Sequence, residues 1–78
     1  MKKIVKETIG ELLDIKASRI SLSSSFKDLG IDILDLSEII MILEDKLEFE
    51  ADDNIYDAKT VGELIKHIKQ LTKKVQIN

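Results

Sequence analysis

The sequence predicts a small all-α fold, a four-helix bundle with three main helices, one short helix and a long first loop. Along most of the chain, apolar residues recur every three or four positions, which is the spacing of one helix face. The chain has no proline and three glycines to interrupt these stretches. With 78 residues in total, we expect residues 1–78 to form a single domain.

The first predicted helix covers residues 2–14 and presents one apolar stripe to the core. Residues 15–31 then form a long connection, a feature that is often functional in a compact domain. Its apolar residues are Ile15, Ile20, Leu22, Phe26 and Leu29. We expect these residues to pack the connection against the bundle, because a flexible linker would be rich in Gly and Ser without such anchors.

The second predicted helix runs over residues 33–47. Asp32 can act as its N-cap, and Asp35 lies three residues later, near the positive end of the helix dipole. A short helical turn is predicted at residues 53–58. Together with the stripe of the first helix, these elements supply most of the apolar surface that a bundle needs.

The last predicted helix starts after Thr60. Thr60 as N-cap and Glu63 three residues later form a capping-box pattern. The predicted core then combines the apolar stripes of all the helices with two anchors from the first loop. It comprises Val5, Ile9, Leu12, Leu13, Phe26, Leu29, Leu36, Ile39, Ile40, Leu43, Leu47, Val61, Leu64, Ile65 and Ile68.

Charge is unevenly distributed along the chain. Residues 26–56 hold ten acids and two bases, a net charge of −8, whereas residues 1–25 carry +2 and residues 57–78 carry +3. The acidic middle argues against a nucleic-acid ligand, whose phosphates it would repel. It favours a protein partner with a basic surface, because complementary charge accelerates association.

Apolar runs are too short for a membrane role. None approaches the roughly 18 residues that would span a bilayer, so we expect no membrane interaction. The first residues lead into an amphipathic pattern and not into a signal peptide. We therefore expect a cytoplasmic protein, and a monomer.

The most informative motif spans residues 26–35 and reads FKDLGIDILD. Residues in step with the same pattern follow without gaps: Glu38, Met41, Leu43, Glu44 and Asp45. Residues 60–64 read TVGEL, at the start of the last helix. With these three blocks in order, the chain resembles the acyl carrier protein family over nearly its whole length. The resemblance implies acyl carriage in fatty-acid, polyketide or related thioester pathways, and no enzymatic activity.

The family carries its acyl group on 4'-phosphopantetheine, attached to a serine at the start of the second helix. A helix N-terminus suits this phosphodiester because free backbone N–H groups favour negative charge there, and Gly30 permits the sharp turn before the helix. In this chain the attachment position is Ile33, which has no hydroxyl to esterify. As written, the chain is therefore expected to hold no cofactor and to remain in the apo form.

Several interpretations of Ile33 stay open. The attachment serine has been replaced, by engineering or by a sequence variant, or the chain is a natural non-carrying homologue that still docks on carrier partners. Alternatively another serine is loaded, with Ser37 as the candidate, although its N–H should already be bonded inside the helix. Ser23, Ser24 and Ser25 are better explained as loop and capping residues. An unrelated helical adaptor is the remaining alternative.

The resemblance also implies docking through the acidic face of the second helix. Its partners would be acyl-transfer and synthase enzymes with basic patches, and a phosphopantetheinyl transferase. The candidate contact residues are Asp32, Asp35, Glu38, Met41, Glu44 and Asp45. An ordinary solvated helix face is the commoner meaning of such a charge run. The concentration of acids here, with apolar Met41 and Ile42 beside them, favours docking.

Some remaining residues invite weaker expectations. Ile31 and Ile33 either form a small exposed patch, or Ile33 packs against the loop and fills space that an acyl chain would use.

His67 is expected at the surface and not in catalysis. The lysines of the last helix are expected on its solvated face: Lys66, Lys69, Lys73 and Lys74. Asp52, Asp53 and Asp57 lack the ligand spacing of a calcium loop.

Overall fold

The chain folds into a helical bundle, as the sequence predicted. The computed structural model describes the backbone of residues 1–75 and the side chains of residues 1–72, so the expectation for Lys73 and Lys74 lies outside the described side chains. The α-helices are α1 (Lys2–Leu13), α2 (Ile33–Leu47) and α3 (Val61–Val75). Two short 3-10 helices, Ala17–Arg19 and Asp53–Asp57, lie in the connections. The first of these was not predicted.

Helices α1 and α2 both end at a residue whose backbone lies in the left-handed helical conformation. Asp14 ends α1 with φ 58°, and its N–H donates to the Gly10 carbonyl. Glu48 ends α2 with φ 54°, and its N–H donates to the Glu44 carbonyl. A left-handed residue satisfies carbonyls that the last turn leaves without partners. The predicted end of α1 at residue 14 is therefore one residue too long.

The predicted N-caps are present, with one difference at α3. Asp32 caps α2: the Asp35 N–H donates to Asp32 Oδ1 at 2.8 Å, and the Asp32 N–H donates to Asp35 Oδ2 at 3.3 Å. At α3, the Glu63 N–H donates to Thr60 Oγ1 at 3.1 Å. The Glu63 carboxylate, however, accepts from the Lys59 N–H at 2.7 Å. It thus reaches one residue further back than the capping-box pattern predicts.

The core contains most of the predicted residues and several from the connections. Leu12, Leu13, Leu29 and Leu47 are partly buried at its edge and not inside it. The core also contains four buried residues that the apolar stripes of the helices did not predict: Ile20, Ile31, Phe49 and Ile55. Helical periodicity finds the buried face of a helix but says nothing about single apolar residues in loops.

The long first loop is attached to the start of α3 by backbone hydrogen bonds. The Val61 N–H donates to the Ser24 carbonyl at 3.0 Å, and the Gly62 N–H donates to the Leu22 carbonyl at 2.8 Å. A Cβ at Gly62 would lie 2.9 Å from that carbonyl oxygen, so glycine permits the close approach. The loop is packed, as predicted, although Ile15 and Leu22 remain 39% and 36% exposed. Ile20 and Phe26 are its buried anchors.

Candidate functional site

The approach to α2 is a tight turn that fixes where the helix starts. Gly30 has φ 75°, in the left-handed region that glycine adopts without steric penalty. The Ile31 N–H donates to the Phe26 carbonyl at 2.9 Å, which closes the turn. Asp32 then caps the helix, and Ile33 becomes its first residue. The turn and the cap hold the backbone of position 33 without any contribution from its side chain.

Ile31 and Ile33 have opposite environments. Ile31 is 7% exposed and belongs to the core, whereas Ile33 is 59% exposed. The expectation that the two form one exposed patch is therefore wrong, because the chain reverses direction at Gly30 and buries Ile31 first. The exposed neighbour of Ile33 is Leu34 instead, with 76% of its surface accessible. Ile33 is not part of the buried core, and its packing against the loop stays a prediction.

An open cavity of about 310 Å³ lies beside position 33. Its lining includes the core side chains of Phe26, Ile31 and Leu36, and Ile33 and Ala58 complete the apolar part. The cavity thus connects the first residue of α2 with the segment that precedes α3. Ile33 is one of the residues that line this cavity, and it is itself 59% exposed.

The acids of α2 fall into two groups with different roles. Glu38 and Asp45 are exposed and face solvent. Asp35 is half-buried and is held in the capping box with the exposed Asp32. Glu44 is also half-buried, and its Oε2 accepts from the Ala51 N–H at 2.8 Å. This bond fastens the turn after α2 to the helix, a structural contact that the sequence did not reveal.

Exposed apolar surface is concentrated on the same helix. Met41 is 68% exposed and lies two turns after Leu34, so both side chains emerge on one side of α2. Ile42 is less accessible, at 37%. The structure therefore places exposed apolar residues and the exposed acids Glu38 and Asp45 on one helix surface, while docking through it stays a prediction.

The serines of the first loop discussed above form local hydrogen bonds, whereas Ser37 contacts a distant residue. The Ser25 hydroxyl accepts from the Asp28 N–H at 3.0 Å, and the Ser24 hydroxyl accepts from the Ser21 N–H at 3.0 Å. Ser37 lies in the second turn of α2, half-buried, with its hydroxyl 3.4 Å from that of Tyr56. Its place inside the helix, away from the free amides of the first turn, gives it no anion-binding surroundings.

His67 is not a plain surface residue. Its ring is 23% exposed, and Nε2 lies 2.7 Å from Asp52 Oδ1. Asp52 also accepts from the Ile55 N–H at 3.1 Å and so caps the second 3-10 helix. The hydrogen bond from His67, its charge and the Ile55 N–H lower the pKa of the Asp52 carboxyl against an opposing effect of burial. The pair therefore joins this 3-10 helix to α3.

The Asp52–His67 pair predicts a pH-dependent stability. The pKa of the Asp52 carboxyl in the folded chain is lowered from 3.8. The ionised carboxyl therefore stabilises the fold at pH values above 3.8, and this stabilisation is lost as the pH falls through the lower pKa of the folded chain. Asp52→Asn keeps a capping side chain but removes the charge. We expect urea unfolding to show a less stable variant at pH 6, with a difference that shrinks as the pH is lowered below 3.8.

The neighbouring exposed Asp53 supplies the matched control for this measurement. Asp53→Asn makes the same chemical change one residue away, and we expect it to leave the stability at pH 6 close to that of the parent chain. Equal losses for the two variants would show that the Asp52–His67 pair contributes nothing specific.

Comparison with known proteins shows which family has a similar sequence. A family model described as a phosphopantetheine attachment site matches residues 3–68. The acyl carrier protein of Clostridium perfringens (strain 13 / Type A) is 40% identical over 72 residues, covering 90% of this chain and 95% of that protein. The acyl carrier protein of Exiguobacterium sibiricum is 45% identical over 67 residues, covering 83% and 85%. The chain belongs to the acyl carrier protein family.

Acyl carrier proteins are carriers and not catalysts, so this family member is not an enzyme. The family match also removes the unrelated helical adaptor from the alternatives. Among the described residues, no helix is long and apolar enough to cross a membrane. In the same part of the chain, His, Asp and Glu side chains do not gather in any group of three that could hold a metal ion.

The family's cofactor, 4'-phosphopantetheine, does not fit the residue at position 33. Its phosphate is joined to a carrier through the oxygen of a side-chain hydroxyl, and Ile33 presents only hydrocarbon. The features around this position are nevertheless in place: the turn at Gly30, the capping box and the open cavity. The structure thus has the turn, the helix N-cap and the cavity beside a side chain that offers no hydroxyl.

Proposed function

We propose that this chain docks on carrier-dependent enzymes through the exposed surface of α2 and remains in the apo form because position 33 cannot be loaded. Its partners are the acyl-transfer and synthase enzymes of a fatty-acid, polyketide or related thioester pathway. The observation that carries the proposal is the exposure of Glu38, Met41 and Asp45 on one helix whose N-terminal residue is Ile33. As proposed, the chain acts as a monomer.

Two exposed acids of α2 support docking because no base among the described side chains neutralises them. Among the described side chains, Glu38 and Asp45 take part in no ion pair. Lys46, a base on α2, lies 3.7 Å from Glu11 and is directed towards α1. The acidic surface is therefore open to a basic partner, and complementary charge would set the rate and orientation of the encounter.

A binding experiment with charge reversal tests the docking surface. The probe is a carrier-dependent ketosynthase of fatty-acid synthesis, and the readout is fluorescence anisotropy of the labelled chain at low salt. For the double variant Glu38→Lys/Asp45→Lys we expect at least roughly tenfold weaker binding, because two attractive contacts become repulsive. The difference should shrink as NaCl is raised and exposed charges are screened.

The matched control changes the net charge equally at another place. Glu7→Lys/Asp53→Lys reverses two exposed acids outside α2. We expect this variant to bind within about twofold of the parent chain, since its charges lie outside the proposed interface. Equal weakening by both double variants would reduce the effect to overall charge and reject the α2 surface.

A further inference from the structure

Two open cavities of the described structure share one lining residue. One is the cavity of about 310 Å³ beside position 33, and the other, of about 220 Å³, is lined in part by His67 of α3. Ala58 is half-buried, follows the second 3-10 helix and lines both cavities, so it lies between them. We call the second cavity the His67 cavity and residues 52–58 the gate segment, because displacement of this segment would join the two cavities.

The gate segment is flanked by contacts that do not involve His67. Just before it, the Ala51 N–H donates to Glu44 Oε2 at 2.8 Å. Just after it, the Lys59 carbonyl accepts from the Phe26 N–H at 3.0 Å. Because both flanking residues are held separately, the segment can be displaced by a local opening that leaves the helices folded.

One contact of the gate segment with α3 is both polar and accessible to water. His67 Nε2 lies 2.7 Å from Asp52 Oδ1, and the two side chains are 23% and 40% exposed. Elsewhere in the segment, the hydroxyls of Tyr56 and Ser37 are 3.4 Å apart, and Ile55 makes a fully buried apolar contact that does not titrate. A polar pair that water reaches contributes little to stability, so a change in its strength shifts the local opening without unfolding the chain.

We propose that the Asp52–His67 pair controls the gate segment in response to pH. A charged imidazolium keeps the segment closed, and loss of that charge increases the open fraction, because a hydrogen bond between two charged groups is stronger than one with a neutral donor. Histidine is the side chain whose charge typically changes between pH 5 and 8. The other charged residues that line the His67 cavity are Asp57, Glu63 and Lys66. The inference is independent of docking through α2 and adds a conformational property to the proposed function.

Amide hydrogen exchange followed by NMR tests the proposal in the intact chain. The reporters are the N–H groups of Ile55 and Ala58, which donate to the carbonyls of Asp52 and Ile55, each at 3.3 Å. The Ile40 amide in the core of α2 reports unfolding of the whole bundle. We expect the reporters to exchange at least about tenfold faster than Ile40, at rates that do not change in low urea, because a local opening exposes little surface. Protection factors remove the effect of pH on the exchange chemistry itself.

The pH response is compared in the parent chain and in two glutamine variants. From pH 5.5 to pH 8, we expect the protection of the two reporters in the parent chain to fall by roughly three- to tenfold, as the charge-assisted contact weakens. His67→Gln keeps an N–H donor but cannot titrate, so its protection should stay constant over this range. Lys66→Gln removes a neighbouring charge in the His67 cavity and should keep the response of the parent chain. Circular dichroism confirms that both variants are folded.

Each outcome supports or overturns the inference. Reporters that exchange as slowly as Ile40, with the same dependence on urea, would show that the gate segment does not open locally. An equal pH response in the parent chain and in His67→Gln would show that the charge of His67 does not control the opening. Loss of the response in Lys66→Gln as well would assign it to the net charge of the His67 cavity and not to the Asp52–His67 pair.

Discussion

Ile33→Ser is expected to convert a chain that takes up no phosphopantetheine into one that is loaded to completion by a transferase and coenzyme A. The expectation follows from the backbone around position 33. The turn at Gly30 and the Asp32–Asp35 capping box place this residue at the helix N-terminus, where free N–H groups and the helix dipole favour a phosphodiester. The side chain is 59% exposed, so a serine hydroxyl would be accessible.

Intact mass spectrometry measures the loading directly. The unmodified chain and Ile33→Ala are the controls, and we expect neither to gain the mass of the arm. Ile33→Ser/Ser37→Ala should load as fully as the single serine variant, because Ser37 lies inside the helix. Loading of the unmodified chain would contradict our assignment and direct attention to Ser37. A serine variant that stays unloaded would show that the transferase does not read this surface.

The same variant also tests whether Ile33 stabilises the bundle. Because more than half of its side chain is accessible, we expect the free energy of unfolding to change by no more than about 0.5 kcal/mol. A larger loss, measured by urea unfolding, would mean that Ile33 packs against the first loop in solution. That result would support the prediction that Ile33 fills space that an acyl chain would use.

Local sequence signals predicted the helix starts well, because capping is decided by residues a few positions apart. Asp32 and Asp35 form the capping box at α2, and Gly30 adopts the positive φ that the turn requires. These local features locate the start of α2, and the resemblance to the family singled out position 33 as the candidate site. Only the resemblance to the family indicated which chemistry is expected at position 33.

Tertiary contacts explain what the sequence left out. Ile31 and Ile33 are similar in type and close in sequence, but only Ile31 is buried, because the turn at Gly30 directs it into the core. Glu44 looked like a docking residue, and only the fold shows that it holds the Ala51 N–H. His67 was expected at the surface, and only the fold shows that its Nε2 lies 2.7 Å from Asp52 Oδ1. Such contacts join residues that no local pattern relates.

Ile55→Ala is expected to cause the largest loss of stability among the substitutions considered. Ile55 is 0% exposed and supplies the buried side chain of the second 3-10 helix. Removing a buried isoleucine costs about 2–5 kcal/mol through lost apolar burial and the cavity that remains. For a domain of this size the loss corresponds to a fall in melting temperature of roughly 10–30 °C, measurable by circular dichroism.

Ile33→Ala removes the same side-chain atoms from an exposed position and serves as the control, with an expected change of no more than about 0.5 kcal/mol. The comparison also bears on the candidate site, because Ala58 follows the second 3-10 helix and lines the cavity beside Ile33. If Ile55 holds the cavity-lining segment around Ala58 in place, amide hydrogen exchange in residues 53–59 should be faster in Ile55→Ala even below the melting temperature. Similar melting temperatures for the two alanine variants would contradict this role of Ile55. The position of the cavity-lining segment would then depend on its contacts with α3.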